Sequence, residues 1–502
     1  MHGRLRNGLI GMVAGAVALV VVASGASGAD DARRDSVVRI HSTQVIPDVF
    51  RPWTNRAPEE SKGSGFVIDG QRILTNAHVV AFADEILIES DLLPRRVAAE
   101  VEHIDLAMDL AVLTVEEAGF FDLLPAVTLR DELPDDQDEV TVLGFPMGGE
   151  TMSATAGVVS RVEYTDYNLQ QAGLRIQIDA AVNPGNSGGP AFMGDDCIGV
   201  VFSRIDGGDN IGYVIPVKEV NLFLQDVSDG ELDGKPHLDA TLATTENPGR
   251  RKKLGLTLVD SGLTVIDASD ETGLERWDVV SAIGGIAVDD QGYGELYGKR
   301  LHHGALIEHA AGSGLSVPVT IIRGGEKQEI TVTLSDETNA LVPIDLDARP
   351  EYFVHGPLVF GGATDDFAEL NQYAMFAEIL RYRHNPLATR RYDEQAFPGE
   401  ELVVLINSPF PHPMMRGHAD LEIASVLDKV NGVKVKNLAH AYELITGTTE
   451  GMIEFEFADR HMDRFVTLDA AELAASTEEI LDRNSIRKPV SEGLLKLVGE
   501  DE

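Results

Sequence analysis

Short apolar runs broken by turn residues dominate the first half of the chain. Gly65-Phe66-Val67-Ile68, Glu85-Ile86-Leu87-Ile88, Ala111-Val112-Leu113-Thr114-Val115 and Glu139-Val140-Thr141-Val142-Leu143 are rich in Val, Ile and Leu and bounded by Gly, Asp, Pro or Asn. Such runs predict a mainly β sandwich or barrel domain over residues 34–228, with Val217 to Asp226 as a closing helix. Residues 229–250 are polar and contain Asp229-Gly230, Asp233-Gly234, Pro236 and Pro248, which predicts a linker. Strand-like runs resume in residues 251–337, at Leu254 to Val259, Leu263 to Ile266, Val279 to Ile283, Val317 to Ile322 and Glu329 to Leu334, with a helix at Gly304 to Ala311. Residues 341–472 hold an amphipathic helical insertion at Asp365 to Arg383, strands at Leu402 to Ile406, Ile423 to Val430, Met452 to Phe457 and Arg464 to Leu468, and a helix at Asn437 to Ile445. The recurring order strand, short helix, strand predicts a duplicated small α+β domain. Residues 473–502 read as a charged, partly helical tail.

The N-terminus has a different pattern. Arg4 and Arg6 precede an uncharged stretch whose centre, Leu9 to Ala23, is apolar, and small residues from Ser24 to Ala29 follow before Asp30 and Asp31. A basic start, a short apolar centre and a small-residue end predict a secretory signal peptide over residues 1–29, cleaved after Ala26 or Ala29. The alternative is an uncleaved anchor, since the stretch is near the lower length limit for a membrane span. Both readings put the rest of the chain outside the cytoplasm, most simply in a bacterial periplasm, and contact with a membrane is expected only from an uncleaved signal.

Charge narrows the partners. With 41 Lys plus Arg against 82 Asp plus Glu over 502 residues, the formal net charge is −41. A surface that acidic repels phosphate backbones, so nucleic acid is not expected as a partner. Cys197 is the single cysteine, which rules out an intrachain disulfide framework. Next to Ile198-Gly199-Val200-Val201-Phe202 it reads as a small buried hydrophobe. No H-E-x-x-H, P-loop or EF-hand pattern is present, and no metal or cofactor is expected. His302-His303 has no partner at ligand spacing and reads as surface.

Three stretches carry chemistry: Thr75-Asn76-Ala77-His78-Val79-Val80, Asp109-Leu110-Ala111-Val112-Leu113 and Gly185-Asn186-Ser187-Gly188-Gly189-Pro190. A serine hydroxyl becomes a nucleophile when a base takes its proton and a third group fixes that base. Ser187 is the candidate nucleophile, His78 the general base and then acid, and Asp109 the orienting carboxylate. The glycines let the backbone at Gly185, Asn186 and Ser187 form an oxyanion hole, with the N–H groups of Gly185 and Ser187 as donors. Gly185 to Gly189 also fits the G-x-S-x-G elbow of α/β-hydrolases. That elbow needs a helix after the serine, with the acid and the histidine following it. Here a strand-like run follows Ser187, and the order His, Asp, Ser on a β-rich block is the chymotrypsin order.

TNAHVV, DLAVL and NPGNSGGPAF resemble the HtrA/Deg serine proteases, chymotrypsin-like enzymes with trailing PDZ domains. VTVLGFPMGG, ATAGVVSRVE, NIGYVIP and VLDKVNGVKVKNLAHAYELI are similar to the plant-type Deg branch with its divergent second PDZ domain. The resemblance implies a double β-barrel protease domain, with the triad in the cleft between the barrels, followed by two PDZ-like domains. It implies a homotrimer or multiple of trimers, ATP-independent cleavage of unfolded or damaged proteins, and capture of peptide C-termini by a PDZ domain. Phe50 and Trp53 are candidate trimer contacts. Val201-Phe202-Ser203-Arg204 is the strand that should line the primary specificity pocket, and Arg204 is not an obvious wall for an aliphatic side chain. Leu254-Gly255-Leu256 fits the carboxylate-binding loop of the first PDZ domain. The basic run Arg250-Arg251-Lys252-Lys253 just before it is expected to attract the peptide carboxylate. The alternatives are a latent PDZ scaffold or holdase, and a dedicated processing protease.

Overall fold

The computed structural model describes residues 32–149, 151–168, 171–202, 212–312, 314–336, 339–343, 349–370, 374–458, 460 and 463–499. The signal segment at 1–29, and Ser203 and Arg204 of the expected specificity strand, lie outside the described residues.

The β-rich pattern of the first block resolves into two closed six-stranded antiparallel barrels. The first contains β1 (Val37–Gln44), β2 (Glu59–Ile68), β3 (Arg72–Thr75), β4 (Ala83–Glu89), β5 (Val97–Asp105) and β6 (Leu110–Thr114), in the order β1-β2-β3-β6-β5-β4. The second contains β7 (Glu139–Gly144), β8 (Ser153–Asn168), β9 (Gln171–Ile178), β10 (Pro190–Met193), β11 (Asp196–Phe202) and β12 (Gly212–Pro216), in the order β10-β11-β12-β9-β8-β7. Closure removes the open edges that such apolar strands would otherwise expose. Val38, Ile40, Val67, Ile73, Ala111 and Leu113 fill the first barrel. Val140, Val142, Ile176, Ile178, Val201 and Val214 fill the second. A seam cluster that includes Phe66, Leu110, Leu143, Phe192 and Phe223 joins them and fixes the cleft geometry. Helix Val217–Asp226 closes the block as its sequence indicated.

The middle domain departs from the sequence reading in two places. Ala240–Thr244, inside the stretch read as a linker, is a strand and pairs antiparallel with Leu263–Ala268 as the edge of the domain's sheet. Leu254 to Val259 is not a strand. Pro248–Leu254 is a helix, with the Asn247 side chain capping the Arg250 N–H, Pro248 in its first turn and Gly255 in the left-handed conformation at its end. Those are helix start and stop signals, and Arg251, Lys252 and Lys253 in the last turn complement the helix dipole. Leu258 and Val259, apolar residues that suggested a strand, are fully exposed on the turn beyond.

The third domain has a three-stranded sheet (Tyr352–His355, Leu358–Gly362, Val403–Leu405) and a four-stranded sheet (Val433–Lys434, Leu427–Val430, Met452–Phe457, Phe465–Asp469). Alternation works here as expected: Ile453, Phe455 and Phe457 point into the core. The expected insertion is two helices, Asp365–Leu370 and Ala374–Tyr382, and residues 371–373 between them lie outside the described residues. The stretch read as a tail forms helices Ala470–Asn484 and Glu492–Val498, whose Leu473, Ile480 and Leu494 are buried in this domain. Phe50 and Trp53 also pack here, in their own chain. Phe50 meets Phe367 at 5.8 Å between ring centroids, and Trp53 meets Tyr352 at 5.7 Å and Phe410 at 6.3 Å.

Candidate active site

His78 sits in a one-turn helix, Ala77–Val80, directly after β3. Ala77, Val79 and Val80 are buried, and the helical spacing leaves the His78 ring half open to the cleft. Asp109 precedes β6 at φ +59, a left-handed conformation that aspartate tolerates better than most residues. The Asn76 side chain holds the Asp109 carbonyl at 2.9 Å. The Asp109 carboxylate accepts from the His78 backbone N–H at 2.9 Å and lies 2.9–3.0 Å from His78 Nδ1 through both oxygens. An acceptor on Nδ1 places the ring proton there and leaves Nε2 unprotonated, as the basic nitrogen.

The loop bearing Ser187 belongs to the second barrel but lies against the first. The Ser64 N–H, at the core of β2, donates to the Ser187 carbonyl at 2.8 Å. Gly188 has φ +82, and a Cβ there would sit 2.2 Å from the Ser64 carbonyl and 3.1 Å from the Asn76 nitrogen. That close approach brings the Ser187 loop beside the segment that carries His78.

The donors of this loop are fixed by their neighbours. The Pro184 carbonyl accepts from the Met147 N–H at 2.7 Å, and the Asn186 carbonyl accepts from the Gly189 N–H at 3.0 Å. In a planar trans peptide the N–H points opposite to the C=O. The N–H groups of Gly185 and Ser187 are therefore turned away from those partners, and neither meets an acceptor among the described residues. The Asn186 N–H is spent on the Asn183 carbonyl at 3.0 Å, so Asn186 spaces the two donors and is not a third one. Gly185 is at φ +100, and a Cβ there would sit 2.4 Å from the Phe145 carbonyl, which explains the need for glycine.

Two residues were not singled out from the sequence. Ser64 is fully buried, and its Oγ donates to the Gly185 carbonyl at 2.8 Å and accepts from the Phe145 N–H at 2.9 Å. Gln44 Nε2 donates to the His78 carbonyl at 3.0 Å. Serine inside an apolar strand is the signal that marks the first; a half-buried glutamine at a strand end gives no signal for the second. Cys197 is buried, and burial pushes its thiol up to about 12, which makes it inert.

The residues expected to bind peptide do not sit where the reading put them. Leu254, Gly255 and Leu256 end a helix and do not open the first strand. Three of the four basic residues are committed to their own domain: Arg251 pairs with Asp290 at 2.7 Å, Arg250 donates to the Thr244 carbonyl and Lys253 lies over the Trp277 ring. The loop entering the first strand, Ala240–Thr244, is instead residues 236–239. His302-His303 is not surface either. His302 stacks on Tyr164 of the second barrel, and burial lowers His303 to about 4. The pair opens helix His303–Ala311 at the junction of protease and middle domains.

That junction holds a buried charge cluster. Lys235 Nζ lies 3.0 Å from Glu219 and 2.7 Å from Glu308, and the Tyr164 hydroxyl donates to Glu308 at 2.6 Å. Burial, opposed by Lys235 and reinforced by Glu219, pushes Glu308 up to about 7. One cation serves two buried carboxylates, so one of them takes up a proton near neutrality.

Comparison with known proteins follows this geometry. Residues 63–200 match a trypsin-like peptidase domain, and residues 342–493 match a PDZ domain. "Protease Do-like 2, chloroplastic" of Arabidopsis thaliana is 34% identical over 438 residues, covering 85% of this chain and 70% of its own. "Protease Do-like 4, mitochondrial" of the same plant is 31% identical over 462 residues, covering 90% and 84%. Among solved structures, "HtrA-type protease AlgW with tripeptide" aligns at a TM-score of 0.47 and 24% identity, covering 61% of this chain and 95% of that one.

Proposed function

The chain belongs to the HtrA/Deg family of serine proteases, and on that footing we propose that it is an ATP-independent endopeptidase that degrades unfolded or damaged proteins outside the cytoplasm. Ser187 Oγ attacks the scissile carbonyl carbon while His78 Nε2 takes its proton. The oxyanion moves into the N–H groups of Gly185 and Ser187. The C–N bond breaks as His78 passes the proton to the leaving amine. Water then repeats the sequence on the acyl-enzyme, with Asp109 holding the His78 Nδ1–H throughout. The observation that carries this reading is the pair of unspent N–H groups beside Ser187, aimed by carbonyls that are themselves bonded elsewhere. A collapsed, latent loop would have spent one of them, so the open arrangement favours the enzyme over the scaffold.

The middle domain captures extended peptide by adding it to the free edge of Ala240–Thr244, beside helix His303–Ala311. Phe50 and Trp53, the expected contacts of the homotrimer that the resemblance implies, are half-buried against the third domain of their own chain, which leaves part of each ring for a neighbouring subunit. Extracytoplasmic location rests on the signal-like segment at 1–29. Among the described residues no helix is long and apolar enough to cross a membrane. The test is digestion of a reduced, unfolded protein by the wild type and by Ser187→Ala, without ATP and with a chelator present. Cleavage by the wild type alone is the expected result. Cleavage by both, or by neither with or without added peptide, overturns the proposal.

A further inference from the structure

Resting on the peptide-capture reading above, we infer that the middle domain's groove takes an extended internal segment of substrate rich in Lys or Arg, and not a free C-terminal carboxylate. The groove is a cavity of about 770 Å³ between edge strand Ala240–Thr244 and helix His303–Ala311. Leu238, Ala240 and Ile307 give it an apolar wall, and among the described residues the edge strand pairs with no other strand on that side.

A receptor for a carboxylate needs free N–H groups at the mouth of the strand, and positive charge near them. The entering loop has no uncompensated cation beside it, and two of its N–H groups are already spent. The His237 N–H donates to the Ser335 carbonyl at 2.8 Å, in a two-way bridge with the Ser335 N–H, and the Ala240 N–H is folded back onto the Leu238 carbonyl at 2.8 Å. Position 239, at the tightest point of the loop, is an aspartate.

The charges around the cavity point the same way. Asp233, Asp239, Asp336 and Glu394 line it, and none of them makes an ion pair among the described residues. Lys235 is the one Lys or Arg in the described lining, and Glu219 and Glu308 neutralise it. His303, lowered by burial, contributes no charge at neutral pH. An incoming carboxylate meets negative charge that no cation pairs, whereas a Lys or Arg side chain finds several acceptors. The basic run Arg250 to Lys253 does not offset this, because Arg250 is bonded at Thr244, the far end of the strand. An internal segment also suits a cavity whose other walls are the protease residues Leu106 and Ala107 and the third-domain residue Tyr392, since a chain passing through touches all three domains.

The test is fluorescence anisotropy with the full chain carrying Ser187→Ala. The probes are three labelled decapeptides with one apolar core and flanking Lys, Ser or Glu pairs, each as free acid and as C-terminal amide. A photo-crosslinking residue in the core reports the contact site. The Lys peptide is expected to bind about 10-fold tighter than the Glu peptide, with no loss on amidation and a gap that closes in 0.5 M salt. Asp239→Asn with Asp336→Asn, both on accessible side chains, is expected to remove most of that gap. Tighter binding of the free acid, or equal binding of all three peptides with crosslinks in the groove, overturns the charge preference alone. Crosslinks confined to the protease cleft, or no binding, overturn the peptide-capture reading as well.

Discussion

The Ser64 hydroxyl holds the Gly185 carbonyl at 2.8 Å across the seam between the barrels, so the first barrel sets the orientation of the peptide between Gly185 and Asn186. Ser64→Ala removes that hold and leaves Gly185 free to turn. The expected result is a fall in kcat of roughly 10–100-fold with KM little changed, short of the roughly 100–1,000-fold expected from losing an oxyanion donor outright. Steady-state kinetics on a peptide substrate checks it. Melting of the same variant separates the effect from the roughly 1–3 kcal/mol cost of an unpaired buried group.

Asp109 accepts from His78 twice, through the backbone N–H and through Nδ1. In Asp109→Asn one of the side-chain atoms facing those donors becomes an NH2, and the imidazole is forced into the wrong tautomer. The rate is expected to drop about 10⁴-fold while the fold persists. An unchanged rate would remove Asp109 from the mechanism.

The cluster of Lys235, Glu219 and Glu308 is expected to make docking of the middle domain on the protease pH-dependent. Glu308 is held above its ordinary 4.5, at about 7, chiefly by burial. Between those values the folded state retains a proton that the unfolded chain releases, so stability is highest on the acidic side of this window and falls as pH rises through it. Glu308→Gln keeps the group neutral and is expected to flatten the dependence of melting temperature on pH between about 4.5 and 7. Identical slopes in wild type and variant would contradict the assignment. Lys235→Ala leaves the carboxylates uncompensated, with an expected cost of about 3–5 kcal/mol read from denaturant unfolding.

Trp53 is wedged between Tyr352 and Phe410 of the third domain. Trp53→Ala is expected to loosen that docking by about 1–3 kcal/mol, seen as faster proteolysis in the segment around residue 50, with the oligomeric mass unchanged. Dissociation of the oligomer would instead place Trp53 between subunits.

The barrels were legible because their strands bury one face and turn sharply, and the sequence order His78, Asp109, Ser187 on a β-rich block was enough to expect the His78–Asp109 contact that the fold makes. What escaped depended on partners far along the chain. Ser64 is an ordinary polar residue until the fold brings Gly185 and Phe145 to it. Leu254 to Val259 looked like a strand because Leu256, Leu258 and Val259 are apolar, yet Asn247, Pro248 and Gly255 decide the matter locally by capping a helix. The final helices looked like a charged tail because their apolar residues, Leu473, Ile480 and Leu494, are sparse. Each is nevertheless buried, which a composition reading averages away.

Arg349 Nη2 reaches Asn55 Oδ1 at 2.8 Å, a contact between residues 294 apart in the chain. A ribosome adding about 5–20 residues per second needs roughly 15–60 s to make that stretch. During that interval the strands of both barrels are complete while the segment after Gln44, held to the first barrel by the Val45 N–H on the Phe82 carbonyl, still lacks its third-domain contacts. The enzyme therefore emerges in two acts, chemistry first and bracing last. Its clamp closes only when the distal domain has been synthesised, so a truncated product keeps every reacting group yet never receives its final brace.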